Sequence, residues 1–287
     1  MKKYQKYIAP YWIYFVLSPL LMLVEVYCDV KIPALSTDII NIGVTNGDPG
    51  KILLISAQML VFVLVAVLSG VAASFCATRA SVNFACDLRA DVFKKIQDFS
   101  FANIDKFSTG SLVTRLTNDI TQMQQIVVMC LRMMFRAPGM LVGAIFMSYM
   151  LSPSLSFIFL LLVPALSIVI FLILMFSYKK FGFLQTKVDA LNSNVQEILT
   201  NVRVIKALTR EGHECDRFEG VNSDLRLTGV RAYRVTILQM PIMTVVVNFA
   251  TIAVLWFGSR ALGAGELEVG NISALITYLT QMLASVN

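Results

Sequence analysis

Glu25 and Asp29 stand four residues apart in the apolar run "LLMLVEVYCDVKIP", positions 20–33. That spacing puts both carboxylates on one face of a helix, with Lys31 close by. Arg132 and Arg136 repeat it in "LRMMFRAPGMLVG", positions 131–143. Charge is costly at membrane depth, so residues of this kind are functional candidates by default. The chemistry open to them is electrostatic. They can line a water-filled cavity and meet a charged or polar substrate, carry ions or protons, pair with other helices, or reach the interface. Asn248 and Gln281, in two further apolar runs, need partners within a bundle and can face the same pathway. Met133, Phe135, Tyr278 and Met282 can supply an adaptable apolar wall for it, or can be ordinary core.

Covalent and metal chemistry has little to build on. The chain holds one histidine, His213, and five scattered cysteines with no CxxC pair. That set argues against a zinc site, a disulfide framework and a Ser-His-Asp triad. No catalytic residue and no metal ligand is expected.

The elements that must position these groups are membrane helices. Of the 287 residues 57% are hydrophobic and only 15% charged, and the mean hydropathy is +0.71. The apolar residues come in six blocks, at about 12–35, 52–76, 131–151, 154–177, 236–262 and 270 to the end. All but the last reach the roughly 20 residues that cross ~30 Å of hydrocarbon as a helix. They are continuous rather than alternating, which excludes a barrel. The N-terminus resembles a signal peptide but lacks a small-residue cleavage site, so it is read as an uncleaved first span. The net charge of +6 does not point to nucleic acid, because of where the charge lies. All the Lys and Arg except Lys31, Lys51 and Arg260 fall in the N-terminus or in the long intervals 77–130 and 178–235, counting Arg132 and Arg136 at the end of the first. Positive charge marks the cytoplasmic face, so the N-terminus and both intervals are expected there.

The intervals carry helical stripes. Val188, Leu191, Val195, Ile198, Val202 and Ile205 form a seam with alternating steps of three and four; Ala85, Leu88, Val92 and Ile96 form a second, and Leu112, Leu116, Ile120, Met123 and Val127 a third. The spans are therefore expected to continue as stalks, with residues 52–100 as one helix of roughly 75 Å. The stalk pairs must reverse within 100–110 and 209–220, where the periodicity lapses. Both tips carry an aromatic residue beside charges, Phe107 after Asp105 and Lys106, and Phe218 after Asp216 and Arg217. They are read as contact surfaces for a partner, the alternative being solvated turns.

At this point the sequence resembles a family. "FANIDKFSTGSLVTRLTNDITQMQQ" is similar to the first intracellular loop of ABC exporters, with Gly110, Leu112, Arg115 and Asp119 in its Gly-x-Leu-x-x-Arg-x-x-x-Asp pattern. "NVRVIKALTREGHECDRF" resembles the second such loop, with Leu208 where Phe is usual. The likeness extends over residues 1–287, with an elbow helix at about 1–10, and is closest to bacterial multidrug exporters made of two different halves. It implies an all-α membrane fold of six transmembrane helices with long cytoplasmic extensions, in a bacterial plasma membrane, multi-pass, with the N-terminus cytoplasmic. It also implies a second half-transporter, a heterodimer rather than a homodimer, and hydrophobic or amphipathic small molecules moved by alternating access. Asn103, Ile104, Asp105, Lys106 and Phe107 would sit in a first coupling helix. Glu211, Asp216, Arg217 and Phe218 would belong to a second, both docking on nucleotide-binding domains that hold ATP and Mg. Arg115 and Asp119 would form an (i, i+4) pair in a stalk.

The departure from the family is the lack of a G-x-x-x-x-G-K-[ST] loop, so this chain has nothing to cradle phosphates. It is therefore expected to be the membrane half of a longer polypeptide. Two other classes stay open: an ATP-independent secondary transporter using Glu25 and Asp29, and a non-transporting membrane scaffold whose tips bind a cytosolic protein.

Overall fold

The computed structural model describes residues 5–44, 47–99 and 109–286. Among these there is no strand. The chain opens with α1 (Gln5–Ile8), a 3₁₀ turn (Ala9–Tyr11) and α2 (Trp12–Asp38), which ends in a π-helical turn at Ile39–Val44. Then come α3 (Pro49–Gln97), α4 (Thr109–Thr114), a π-helical turn at Arg115–Asp119, and α5 (Ile120–Leu151). The remainder is α6 (Pro153–Thr200), α7 (Val202–Ala207), α8 (Glu211–Ile237), α9 (Gln239–Gly263) and α10 (Val269–Val286). Five helical stretches are long and apolar enough to cross a membrane: Gln5–Gly43, Pro49–Gln97, Gly110–Leu151, Pro153–Thr200 and Glu211–Gly263. The 18 residues of α10 hold the sixth apolar block.

Local chemistry sets the ends. Asp48 caps α3 by accepting from the amides of Gly50 (3.0 Å) and Lys51 (3.2 Å), and Pro49 at the first helical position gives up an amide that would have no partner. Lys94 and Lys95 in its last turn complement the helix dipole. Its 49 residues make about 73 Å at 1.5 Å each, so span and stalk are one helix, as the pattern predicts. The helix α8 stops before Leu238 for a definite reason. Pro241 has no amide to give the Ile237 carbonyl, and the chain restarts as α9 with the proline in its first turn. Pro138 and Pro164, by contrast, lie inside the continuous helices α5 and α6.

The structure forms two compact units, one running to Phe159 and resuming with Ala253–Val286, the other Leu160–Ile252. In the first, α2 packs on α3, α5 and α10, while α5 also packs on α3 and α10. The face of α3 turned inward is built of small residues: Ala66, Ser69, Ala73, Ala77 and Ala80 are all buried. Small residues let helices approach closely, and the Ser18 hydroxyl donates to the Ala73 carbonyl at 3.0 Å. On α5, a Cβ added at Gly143 would meet Val30 at 3.0 Å and one at Gly139 would meet Val26 at 3.4 Å. The "GMLVG" pair thus seats α5 against α2.

The second unit contains the antiparallel pairing of α6 with α8. Phe181 meets Tyr233 edge to face at 5.4 Å, Lys187 bridges to Asp224 at 2.9 Å, and Arg217 reaches Glu197 through both terminal nitrogens, at 3.3 and 2.9 Å. Val188, Leu191, Val195 and Ile198 are half-buried, so the seam exists as far as Ile198. It does not run straight on. The helix breaks at Asn201 (φ −100°, ψ 12°), and Val202 turns outward with 42% of its surface exposed. A second correction falls on Arg115 and Asp119, which lie in a π-helical turn rather than at α-helical spacing.

Beyond the apolar span, α1 is tied to the α3 stalk. Lys6 and Tyr7 both donate to the Asp91 carboxylate, and Tyr7 meets Phe84 edge to face at 6.1 Å. The bond from Lys6, with that from Tyr7, holds the Asp91 carboxyl below its ordinary range, and the bond to Asp91 raises Lys6. A lowered carboxylate contributes above its unfolded pKa of about 4, and that contribution is lost as pH falls through the folded value. A raised lysine contributes below its ordinary value and loses the contribution only in strong alkali. The tie therefore holds at neutral pH and fails in acid. Hydrogen-exchange protection of residues 5–11 is expected to drop in Asp91→Asn at pH 7, and in the wild type below about pH 4. Equal protection in both proteins at pH 7 would contradict this.

Candidate functional site

The helices α2, α3 and α5 line an open cleft of about 420 Å³ in the first unit, bordered by Glu25, Asp29, Val67, Gly70, Arg132 and Arg136 among others. One nitrogen of Arg136, Nη2, lies 3.3 Å from Glu25 Oε1 and 3.6 Å from Asp29 Oδ2. The (i, i+4) carboxylates and one of the two (i, i+4) arginines that stand out in the sequence thus meet across α2 and α5. The Glu25 side chain is only 12% exposed, against 27% for Asp29 and 48% for Arg136. Its Oε2 is buried and has no hydrogen-bond partner among the described residues. The carboxylate lies so close to α3 that a methyl at Gly70 would sit 2.8 Å from that oxygen. A second cleft of about 520 Å³, lined by Met22, Gln124, Gln125, Met129 and Met133, shares Arg132 and Arg136 with the first.

The helix α10 reaches the same stretch of α2. Pro33 has no amide, so the Asp29 carbonyl lacks its helical donor. Gln281 Nε2 donates to that carbonyl at 3.3 Å, while its Oε1 is buried without a partner among the described residues. The Tyr278 hydroxyl donates to the Val30 carbonyl at 2.8 Å. Tyr278 and Met282 are wholly buried, which places them in the packing between helices rather than on an open wall. Met133 and Phe135 on α5 are exposed, as is Asn248 on α9. At its far end α2 is joined to α10 again. Asn41 Oδ1 accepts from the Gly270 amide at 2.8 Å, Asn41 Nδ2 donates to Asn271 at 3.2 Å, and the Thr37 hydroxyl lies 3.2 Å from the Gly270 carbonyl.

Of the tip residues, Asn103, Ile104, Asp105, Lys106 and Phe107 lie outside the described residues. The second reversal is narrower than the sequence suggests. It occupies Leu208–Arg210, with Thr209 at φ 51°, a left-handed conformation that strains a β-branched residue. Glu211, Asp216, Arg217 and Phe218 follow in the first turns of α8 and do not form a separate helix. Lys206 bridges to Glu211 at 3.0 Å. The amide at the helix start, with Lys206, holds the Glu211 carboxyl below its usual range. Arg217 is braced against Glu197, Asp216 is exposed, and Phe218 is half-buried rather than fully presented.

The pattern of the ABC transporter transmembrane region matches residues 15–286. The chain belongs to that family. It is 32% identical over 287 residues to a Bacillus subtilis protein named uncharacterized ABC transporter ATP-binding protein YfiB, covering all of this chain and 50% of the relative. It is 30% identical over 282 residues to the Mycobacterium tuberculosis ABC transporter ATP-binding protein MT1311, covering 98% of this chain and 48% of the relative. A Mycobacterium bovis fatty acid ABC transporter ATP-binding/permease protein is 27% identical over 194 residues, 68% of this chain and 31% of the relative. The chain spans about half the length of the first two. The all-α membrane fold and the family expected from the loop motifs hold.

As a member of this family the chain is a multi-pass membrane protein, and its charged cluster lies within the matched transmembrane region. Sequence reasoning found the four charged residues but neither their pairing nor Gly70. It also missed the Thr37–Asn41–Gly270 junction. The only local signal for the Gln281 contact is Pro33, which frees a carbonyl for a donor from elsewhere.

Proposed function

We propose that the chain is the membrane half of an ATP-driven exporter, which forms a substrate pathway with a second, non-identical half and moves hydrophobic or amphipathic compounds by alternating access. The observation that carries this reading is the match of the whole chain to half of relatives named ABC transporter ATP-binding proteins. In this reading residues 1–287 are one transmembrane domain, with an elbow at about 1–10 and cytoplasmic extensions at 77–130 and 178–235. The N-terminus is on the cytoplasmic side of a bacterial plasma membrane. ATP and Mg bind in nucleotide-binding domains of the longer protein. Those domains dock on Asn103 to Phe107 and on the start of α8, where Glu211, Asp216, Arg217 and Phe218 lie. The substrate pathway includes Glu25, Asp29, Arg136, Met133, Phe135 and Asn248. Tyr278, Gln281 and Met282 support it from α10. The relative named for fatty acid, an amphiphile, supports the amphipathic class.

The paired contact of Arg217 with Glu197 ties the start of α8 to α6 beside the second tip, which supports a docking role there. Phe107→Ala and Phe218→Ala are expected to leave membrane insertion and ATP hydrolysis in place while lowering dye accumulation at least about tenfold, since an anchor residue at an interface carries 2 kcal/mol or more. The measurement is hydrolysis and accumulation in the same inverted vesicles. Unchanged accumulation in both variants would sink the docking role.

A further inference from the structure

We propose that Glu25 and Asp29 form a binding site for a protonated amine carrying an apolar body, and that Arg136 is a tethered cation holding the site until such a ligand takes its place. The proposal rests on the reading of this region as a substrate pathway and names the class of substrate.

Three observations carry it. Glu25 Oε2 is a buried acceptor with no donor among the described residues, and a carboxylate oxygen so placed calls for an N–H or O–H group. Arg136 covers the pair poorly. It offers a single nitrogen to both acids at 3.3 and 3.6 Å, instead of the two parallel bonds of about 2.7–2.9 Å that make a strong guanidinium–carboxylate fork. It is also half exposed, and it borders the second cleft beside Gln124 and Gln125. A displaced guanidinium can therefore turn toward the amides of Gln124 and Gln125. Finally there is room. The cleft of about 420 Å³ lies within the size range of ligand pockets and opens on Glu25, Asp29 and the apolar walls of Val67 and Val71, with glycine at position 70 letting the Glu25 carboxylate lie back against α3.

The same facts select the ligand. A metal ion is poorly served, because no group of three or more potential ligands exists among the described residues, and hard cations take six or more oxygens. An anion brings no donor and leaves Oε2 unsatisfied. A bare proton leaves the Val67 and Val71 walls without a role. An ammonium group supplies donors to both acids, and its apolar body covers those walls.

The test is fluorescence titration of the polypeptide as its host makes it, in detergent and without nucleotide. Three probes share one body: dansylcadaverine, its neutral N-acetyl form, and the dansyl amino acid of the same chain length. The expected result is that the amine binds best. Glu25→Gln, nearly isosteric, should weaken amine binding about tenfold or more, and Arg136→Gln should tighten it by a similar factor by removing the competitor. Neither change should move the neutral probe. Weaker amine binding in Arg136→Gln overturns the proposal, as does amine binding equal to that of the acetylated or anionic probe. If Arg136→Gln does not fold, Glu25→Gln decides alone. Transport without amine preference overturns the site and leaves the proposed function standing. Amine preference without ATP-driven uptake does the reverse.

Discussion

Replacing Gly270 by alanine is expected to lower the stability of the membrane domain by about 3 kcal/mol, the upper end of what overpacking costs in a close-packed interior. The new methyl would meet Asn41 Oδ1 at 2.5 Å and the Thr37 backbone carbonyl at 2.7 Å. Asn41 can turn away only by surrendering its bonds to the Gly270 amide and to Asn271, and the backbone oxygen cannot turn at all. Helix propensity works the other way, since alanine is better than glycine by up to about 1 kcal/mol in a helix. The clash is the larger effect, so the sign is destabilising. Thermal unfolding in detergent, followed by helicity, checks it. A neutral or stabilising result would show that α2 and α10 do not approach as closely as they do here.

Removing Arg136 should have the next largest effect. Arg136→Ala leaves Glu25 and Asp29 facing each other on α2 with no cation bound, and stripping one partner from a buried pair costs about 3–5 kcal/mol. An exposed pair is worth at most about 1 kcal/mol. Glu25 is nearly buried and Arg136 half exposed, which places the expected loss between the two, at about 2 kcal/mol. The diagnostic outcome is the rescue. Adding Glu25→Gln and Asp29→Asn to Arg136→Ala should recover most of the loss, because neutral amides need no counter-charge. A triple variant less stable than Arg136→Ala alone would mean that Arg136 matters through packing.

The contrast between these two sites shows what a single sequence carries. Span and stalk as one helix in α3 were legible because the Ala85–Leu88–Val92–Ile96 stripe keeps helical spacing and follows the apolar block with no glycine or proline between them. The seam from Val188 to Ile198 was legible for the same reason. Its break at Asn201 was not, since Val202 and Ile205 continue the three-and-four apolar spacing across a one-residue rupture. The π-helical turn at Arg115–Asp119 is hidden likewise: Leu112, Leu116 and Ile120 step by four across it. Charge at membrane depth flagged Glu25, Asp29, Arg132 and Arg136, but which acid faces which base depends on how α2 and α5 rotate about their axes. Gly139 and Gly143 fix that rotation by seating Val26 and Val30. The α2–α10 junction joins residues 229 positions apart, and no local pattern announces it.

The most direct test of the account is the energy source of transport. Inverted membrane vesicles holding this protein with the proposed second half would be mixed with a fluorescent amphipathic dye and given ATP, first alone, then with vanadate, then with a protonophore. The expected result is accumulation that vanadate abolishes and the protonophore leaves intact. Accumulation that survives ATP depletion and collapses with the proton gradient would contradict it, and would make Glu25 and Asp29 the ion carriers of a secondary transporter.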